Sequence, residues 1–161
     1  MYLIEVLPVY DNTYSNTSAL RDAWIMFLRP WPWEWFCTFT FREIVHPEAA
    51  DKRFRLIISK FNRERYRIRW YKKGLGVQWV RALEYQRRGV IHYHALLAGV
   101  QELRRLSWMD LWNELAGYAR IEPIRDGSVV RRYVSKYVVK GGELDLGGPL
   151  QPKPLPLFPP P

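Results

Sequence analysis

The chain contains a single cysteine, Cys37, among its 161 residues, and it has no long apolar run. One cysteine cannot form an internal disulfide or supply a cysteine-rich zinc site, and the apolar residues around it predict a buried, inert thiol. A membrane-spanning helix needs roughly 20 consecutive apolar residues, which the chain lacks. The first residues also lack the basic-then-apolar order of a secretion signal, so we expect the chain to act in the cytoplasm.

Acidic residues are scarce relative to basic ones. The chain has 16 Asp and Glu against 25 Lys and Arg, which gives a net charge of +9 and a pI of about 9.8. Such a balance points first to nucleic acid and second to an anionic membrane surface, while a basic surface kept only for solubility is the plain alternative. Because 48% of the residues are hydrophobic, the chain should be globular, with room for one domain.

Hydrophobic periodicity divides the chain into helices and strands. It predicts helices over 18–28, from Pro47 onward, from a cap at Ser107, and over 129–140, with strands over 2–9, 35–41, 77–86, 90–98 and 119–124. The second helix should bury Phe54, Ile57, Ile58 and Phe61, and the third Trp108, Leu111, Trp112 and Leu115. We therefore expect a domain over 1–146, followed at 147–161 by a proline-rich, extended tail that serves as a spacer or a packed strap.

Two histidines in one strand form the first candidate site. His92 and His94 lie two residues apart, so their side chains point to the same face of a sheet. Upstream, 87–89 has the form of a three-residue hairpin loop with Gly89 in the left-handed region. That loop pairs Gln86 with Val90, and it therefore places Glu84 directly opposite His92.

This trio has the chemistry of a divalent-metal site. Two imidazoles and one carboxylate, from His92, His94 and Glu84, suit Mn²⁺ or Mg²⁺, with Zn²⁺ and Co²⁺ as further candidates. Coordination positions would remain for phosphate oxygens. The plain alternative is a pair of half-exposed strand histidines that bind nothing.

A second candidate site lies on the last predicted helix. Tyr133, Lys136, Tyr137 and Lys140 share one arc, beside a core-facing stripe of Val130, Val134 and Val138. The tyrosines could simply extend that stripe, but the lysines in their arc should resist burial. A phenol has a pKa near 10, and nearby ammonium groups favour its ionised form. Attack on a phosphodiester would leave a 5′-phosphotyrosine and a free 3′-hydroxyl.

Together these motifs resemble those of the HUH endonucleases, specifically the rolling-circle replication initiators of plasmids and phages. The resemblance covers about 35–142. The run 36–41 is similar to the first family motif, and 91–94 is similar to the second. Glu84 matches the position of the third metal ligand. The run 133–140 is similar to the third motif, and its two tyrosines are similar to those of phage-type initiators. It implies an α+β, ferredoxin-like fold in which a central antiparallel sheet of about five strands carries helices on one side and the metal on its open face.

The resemblance also implies a function. The chain would nick one DNA strand at an origin. Glu84, His92 and His94 would hold the metal. Tyr133 and Tyr137 would be the nucleophiles, with Tyr133 acting first, and Lys136 and Lys140 would assist them. Its substrate would be single-stranded DNA or an origin hairpin. Because no Gly-rich ATP loop is present, a host helicase would have to unwind the DNA and a host polymerase to copy it.

Three alternatives stay open. The first is an HUH single-strand transposase, a class that is similarly short but usually carries one nucleophilic tyrosine. The second is a non-enzymatic DNA-binding regulator, which would form no covalent adduct. The third is a phosphodiesterase that uses water and would not need the tyrosines. Relaxases use a third histidine, but His46 lies at a predicted helix start, far from His92. For DNA contacts we expect Arg87 and Arg88 at the hairpin tip and Lys72 and Lys73 in the basic stretch 52–73.

Overall fold

The structure is a computed structural model that describes residues 13–138 and 144–149, with side chains from residue 17 onward. The predicted strand over 2–9, Lys140 and the tail beyond 149 lie outside the described residues. The elements are α1 (Thr13–Leu28), β1 (Trp35–Phe41), α2 (Pro47–Tyr66), a short 3-10 helix (Trp70–Lys73), β2 (Gln78–Tyr85), β3 (Ile91–Ala98), α3 (Arg105–Leu115), β4 (Gly117–Pro123), α4 (Val129–Tyr137) and β5 (Leu144–Gly147).

The five strands form one sheet in the order β4-β1-β3-β2-β5, and every neighbouring pair is antiparallel. This confirms the predicted α+β class with a five-stranded antiparallel sheet. Strand β1 has the predicted bounds, and burial alternates along it because successive side chains point to opposite faces. The fifth strand, β5, was not predicted, because four residues are too few to show a period in the sequence.

Helices cover both faces of the sheet, so the expectation of helices on one side was wrong. On the α2 face, helices α2 and α3 pack Phe54 and Trp112 against β1 and β3. On the histidine face, which carries His92 and His94, α1 and α4 pack against Val80, Ala82, Leu96 and Ala98. Half of the histidine face is thus apolar, and this half needs a cover that excludes water.

Some helix details also differ from the predictions. Helix α3 begins at Arg105 and its N-cap residue is Arg104, so Ser107 lies within the first turn and is not the cap. Trp108 and Trp112 are buried as predicted, whereas Leu115 is 40% exposed because it lies in the last turn of the helix. At α2 the predicted start at Pro47 is confirmed, and the Nδ1 atom of His46 accepts a hydrogen bond from the Glu48 backbone N–H at 3.4 Å.

Candidate active site

The β2–β3 hairpin has the predicted register. The Gln86 N–H donates to the Val90 carbonyl at 2.9 Å, and the Gly89 N–H donates to the Gln86 carbonyl at 2.8 Å. Gly89 has φ of +75°, which a side chain would disfavour. The loop therefore closes with three residues, and Glu84 lies opposite His92.

Two threonines of β1 orient the histidines. Strand β1 pairs Thr38 with His94 and Thr40 with His92. The Thr38 Oγ1 atom lies 3.2 Å from Nδ1 of His94, and the Thr40 Oγ1 atom lies 3.3 Å from Nδ1 of His92. With each Nδ1 engaged, the Nε2 atoms are the ones left to meet a ligand. Sequence reasoning did not assign this role, although the polar alternation of 38 and 40 in β1 pointed to their shared face.

The two Nε2 atoms have different surroundings. Nε2 of His94 lies 2.9 Å from the Glu84 Oε2 atom, whereas Nε2 of His92 is buried and has no hydrogen-bond partner among the described residues. Burial lowers the pKa of both histidines, against the opposing effect of the Glu84 carboxylate. Both rings are therefore neutral at pH 7, which is the form that can bind a metal.

The side chains of Glu84, His92 and His94 are of the right chemical type for a metal, but their positions do not yet form a coordination site. Among residues 13–138 and 144–149, no three His, Cys, Asp or Glu side chains are gathered closely enough to hold an ion. Buried polar atoms normally have a partner, and Nε2 of His92 has none among the described residues, so it is available to bind a metal. The Glu84 side chain is 49% exposed, so its carboxylate has room to reorient. The metal site stays a prediction.

Helix α4 brings its tyrosines to the histidines. The Tyr137 ring stacks on the His94 ring with centroids 4.7 Å apart and planes at 21°. The Tyr133 and Tyr137 rings contact each other at 4.9 Å. Tyr137 and the predicted ligands His94 and Glu84 are thus neighbours in the fold.

Both tyrosines are buried with the valines of α4, contrary to the expectation that the lysines would keep them apart. Lys136 lies outside, with its Nζ atom 5.0 Å from the centre of the Tyr137 ring. The long lysine side chain reaches solvent while the ring beneath it stays covered, which is why sharing an arc did not prevent burial.

The two phenol groups are in different states. The Tyr133 hydroxyl donates a hydrogen bond to the His94 carbonyl at 2.7 Å, and burial raises its pKa far above the usual value. The Tyr137 hydroxyl is buried without a hydrogen-bond partner among the described residues. Burial and then the charge of Glu84 raise its pKa as well. Both phenols are therefore protonated at neutral pH in this conformation.

The predicted DNA-binding residues do not all lie together. Arg87 and Arg88 are exposed at the hairpin tip, just beyond Glu84. Lys72 and Lys73 are exposed in the 3-10 helix that precedes the opposite end of β2, about 20 Å from Glu84 along the strand. They therefore belong to a different surface.

A cavity of about 490 Å³ adjoins the tyrosines and was not predicted. It lies between α4 and the β4–α4 turn, and its lining includes the rings of Phe36 and Tyr137. Charged side chains of both signs also line it, with basic ones in excess: Arg125, Arg132 and Lys136 against Glu122 and Asp126. Aromatic rings beside basic side chains suit a nucleotide, which combines a flat base with a charged phosphate.

Comparisons with known proteins give two matches. The family described as replication-associated protein ORF2 matches residues 34–142. The phasyl DNA replicon protein arp of Escherichia coli is 30% identical over 135 residues, covering 67% of this chain and 44% of that protein. The chain thus spans less than half the length of this relative. No solved structure gives a significant match, and among the described residues no helix is long and apolar enough to cross a membrane.

Proposed function

The chain belongs to the replication-associated protein ORF2 family, and on this premise we propose that it nicks and rejoins single-stranded DNA through a tyrosine, as an HUH initiator of rolling-circle replication. The observation that carries the proposal is the stacking of Tyr137 on His94, whose Nε2 atom meets Glu84. A candidate nucleophile, two imidazoles and a carboxylate thereby share the histidine face.

The metal would be held by Glu84, His92 and His94, with Mn²⁺ or Mg²⁺ as the first candidates and Zn²⁺ or Co²⁺ after them. When bound, it would supply a Lewis acid that polarises the scissile phosphate. Thr38 and Thr40 fix the two imidazole rings through Nδ1 and leave Nε2 for coordination. The protein itself would therefore supply a partly preorganised ligand set.

In the reaction, the Tyr137 oxygen would attack phosphorus while the bond from phosphorus to the 3′ oxygen breaks. The phenol loses its proton and the leaving 3′ oxygen gains one, so the step consumes no net proton. Because one phosphoester replaces another, the step is reversible. Because the hydroxyl is covered, the Tyr137 side chain must turn outward before attack. The Lys136 ammonium beside the ring would favour the phenolate once the side chain is exposed, and we keep the same assisting role for Lys140.

We propose the opposite order of the tyrosines from the one expected from the sequence, because their hydroxyl groups differ in hydrogen bonding. The Tyr133 hydroxyl would have to give up its hydrogen bond to the His94 carbonyl before it could attack. The Tyr137 hydroxyl has no hydrogen-bond partner among the described residues, so it has no such bond to break. We therefore assign the first attack to Tyr137 and keep Tyr133 as the candidate for a second one.

The wider setting follows from the same proposal. The protein would act on an origin, as single strand or hairpin, and we keep a host helicase and polymerase as its proposed partners for unwinding and synthesis. Arg87 and Arg88, exposed beyond Glu84, would contact phosphates near the nick, and Lys72 and Lys73 would contact DNA farther away.

Capture of a covalent adduct tests the proposal without knowledge of the nick sequence. Single-stranded DNA of randomised sequence is incubated with the protein and Mn²⁺, the adduct is isolated on a denaturing gel, and the attached strands are sequenced. Wild type and Tyr85→Phe, a change of an exposed tyrosine on the α2 face, should give an adduct with one enriched sequence. Tyr137→Phe should give none.

Other outcomes identify the alternatives. Cleavage that survives the double change of Tyr133 and Tyr137 to Phe would indicate a water-using phosphodiesterase. Selection of a DNA sequence by binding alone, with no adduct at any metal concentration, would indicate a DNA-binding regulator.

A further inference from the structure

Strand β4 carries two exposed side chains that the core does not explain. In this edge strand, Ala119 and Ile121 are buried on the α2 face, while Tyr118 and Arg120 point to the histidine face. Tyr118 is 60% exposed, and it makes no hydrogen bond or ring contact with any other described residue. A large aromatic side chain in this position is available to a ligand.

The strand register places both side chains beside the active site. Tyr118 pairs with Thr40, which pairs with His92, so these three residues form one row across the sheet. The next row on the same face contains Arg120, Thr38 and His94. Because neighbouring strands lie about 4.8 Å apart, Tyr118 is about 10 Å from His92.

Arg120 is only weakly held in its present position. Its Nη2 atom donates to Oε1 of Glu122 at 2.8 Å, and both side chains are well exposed. An ion pair of this kind contributes little to stability and is easily exchanged for another anion. Glu122 in turn lines the cavity that reaches Lys136 and Tyr137. The row of side chains along β4 therefore leads from Tyr118 to the nucleophile.

We infer that Tyr118 and Arg120 form a subsite for single-stranded DNA, in which the Tyr118 ring stacks on an unpaired base and Arg120 contacts a phosphate. The inference rests on the proposed function and deepens it. A duplex keeps its bases stacked on one another, whereas a single strand offers the face of each base to an aromatic ring. The guanidinium fits a phosphate with two parallel hydrogen bonds, and the net charge of +9 favours the polyanion.

Binding without cleavage tests this subsite. Fluorescence anisotropy of a labelled oligothymidylate is measured with EDTA present, so that no metal-dependent reaction occurs. Tyr118→Ala should weaken binding by between about 5-fold and about 100-fold, the usual range for loss of one base-stacking ring. Tyr118→Phe should retain wild-type affinity, because the ring and not the hydroxyl makes the contact.

Matched controls come from the opposite side of the sheet. Tyr85 is 56% exposed on the α2 face, and Arg104 is exposed at the N-cap of α3, outside the basic stretch 52–73. Their changes to Ala should leave the affinity for oligothymidylate within about twofold of wild type. Equal losses in Tyr85→Ala and Tyr118→Ala would overturn the inference.

An abasic strand separates the two contacts. On an oligonucleotide without bases, Tyr118→Ala should bind as wild type does, whereas Arg120→Ala should still bind more weakly. Loss of one phosphate contact should also reduce the slope of log K against log salt by about 0.7 for single-stranded DNA. An unchanged slope in Arg120→Ala, or a Tyr118→Ala defect that persists on the abasic strand, would contradict the assigned roles.

These results are independent of the proposed chemistry. If Tyr118→Ala binds as tightly as wild type while Tyr137→Phe abolishes the adduct, the subsite is wrong and the nicking function stands. If Tyr118→Ala weakens binding while no variant ever forms an adduct, the subsite stands and the nicking function is wrong.

Discussion

The two faces of the sheet bury different kinds of side chain. The α2 face is filled with rings, where Phe39 lies 5.9 Å from Phe54 and 4.8 Å from Trp112 between ring centres. The histidine face buries His92 and His94, and Nε2 of His92 has no partner in the part of the chain that the structure describes. A ring-filled core gains from every contact, whereas a buried polar atom without a partner costs free energy. The α2 face therefore contributes mainly to the stability of the fold. On the histidine face, the apolar half also stabilises the fold, whereas the buried imidazoles lower its stability.

Changes in the ring core should give the largest effect. Trp112 is fully buried and donates from Nε1 to the Thr40 carbonyl at 3.1 Å. Trp112→Ala should lower the free energy of unfolding by about 3–5 kcal/mol, because it leaves a cavity and removes the hydrogen bond to the Thr40 carbonyl. Urea unfolding followed by fluorescence measures this. Leu115→Ala on the same helix, at a 40% exposed position, should change stability by less than about 1 kcal/mol, and a similar loss in both variants would contradict the contrast.

Loss of the hydroxyl group that orients His94 should affect metal binding more than the free energy of unfolding. Thr38→Val removes the hydroxyl that meets Nδ1 of His94 but keeps the side-chain shape. It should weaken Mn²⁺ binding by about 10-fold to 100-fold, the usual effect of losing a partner that orients a ligand. Isothermal titration calorimetry measures the affinity directly. Ser59→Ala, on the exposed side of α2, is the control, and equal Mn²⁺ affinity in both variants would show that Thr38 does not orient a ligand.

Loss of the Tyr133 hydroxyl should affect stability more than the adduct yield, whereas loss of the Tyr137 hydroxyl should abolish the adduct. Tyr133→Phe removes one buried hydrogen bond, so it should lower the free energy of unfolding by about 1 kcal/mol. It should reduce the yield of the first adduct by less than about tenfold, because Tyr137 is the proposed first nucleophile and no other contact is lost. Chemical unfolding and the denaturing-gel assay measure the two effects. Complete loss of the adduct in Tyr133→Phe, with folding intact, would return the first attack to Tyr133.

A smaller effect concerns pH and the charges buried under α2. Arg81 is buried, bonded to Asp51 and 3.0 Å from Asp145, and its guanidinium lies over the Tyr93 ring. Burial acts to raise the pKa of Asp51, but hydrogen bonds from Arg55 and Arg81 outweigh it and lower the pKa below 3.8. The carboxylate therefore stabilises the fold fully above that value and progressively less as the pH falls through its folded pKa.

Urea midpoints measured from pH 6 downward test this coupling. In wild type, stability should fall more steeply below about pH 4 than in Asp51→Asn, which has no carboxyl to protonate. Arg81→Met should flatten the acid dependence too, but less than Asp51→Asn does, because one of the two arginine partners of the carboxylate is gone while Arg55 remains. Parallel curves for wild type and both variants would show that this pair does not govern acid stability.

Sequence patterns predicted the features that depend on neighbours along the chain. The apolar stripe of α2 repeats with the helical period, and its residues Phe54, Ile57 and Phe61 are fully buried as expected. The pairing of Glu84 with His92 followed from the length of one hairpin loop. Both results rest on local geometry, in which a few residues fix the position of the next few.

Features that depend on distant segments were missed or misjudged. Nothing in the local pattern marks Arg81 as a buried charge, because its partners Asp51 and Asp145 lie on α2 and β5. The burial of Tyr133 and Tyr137 was likewise misjudged, since the helical wheel orders side chains around an axis but does not say how deeply that axis lies in the molecule.

The sequence by itself determined strands β1 to β4, the hairpin register and the set of chemical groups on α4, because hydrophobic period and turn geometry act over short distances. Only the tertiary structure decided that Tyr137 rests on His94, that Thr38 and Thr40 orient the imidazoles, and that Tyr118 shares their face. These contacts join separate strands and a helix, and they form because the apolar half of the histidine face must be covered.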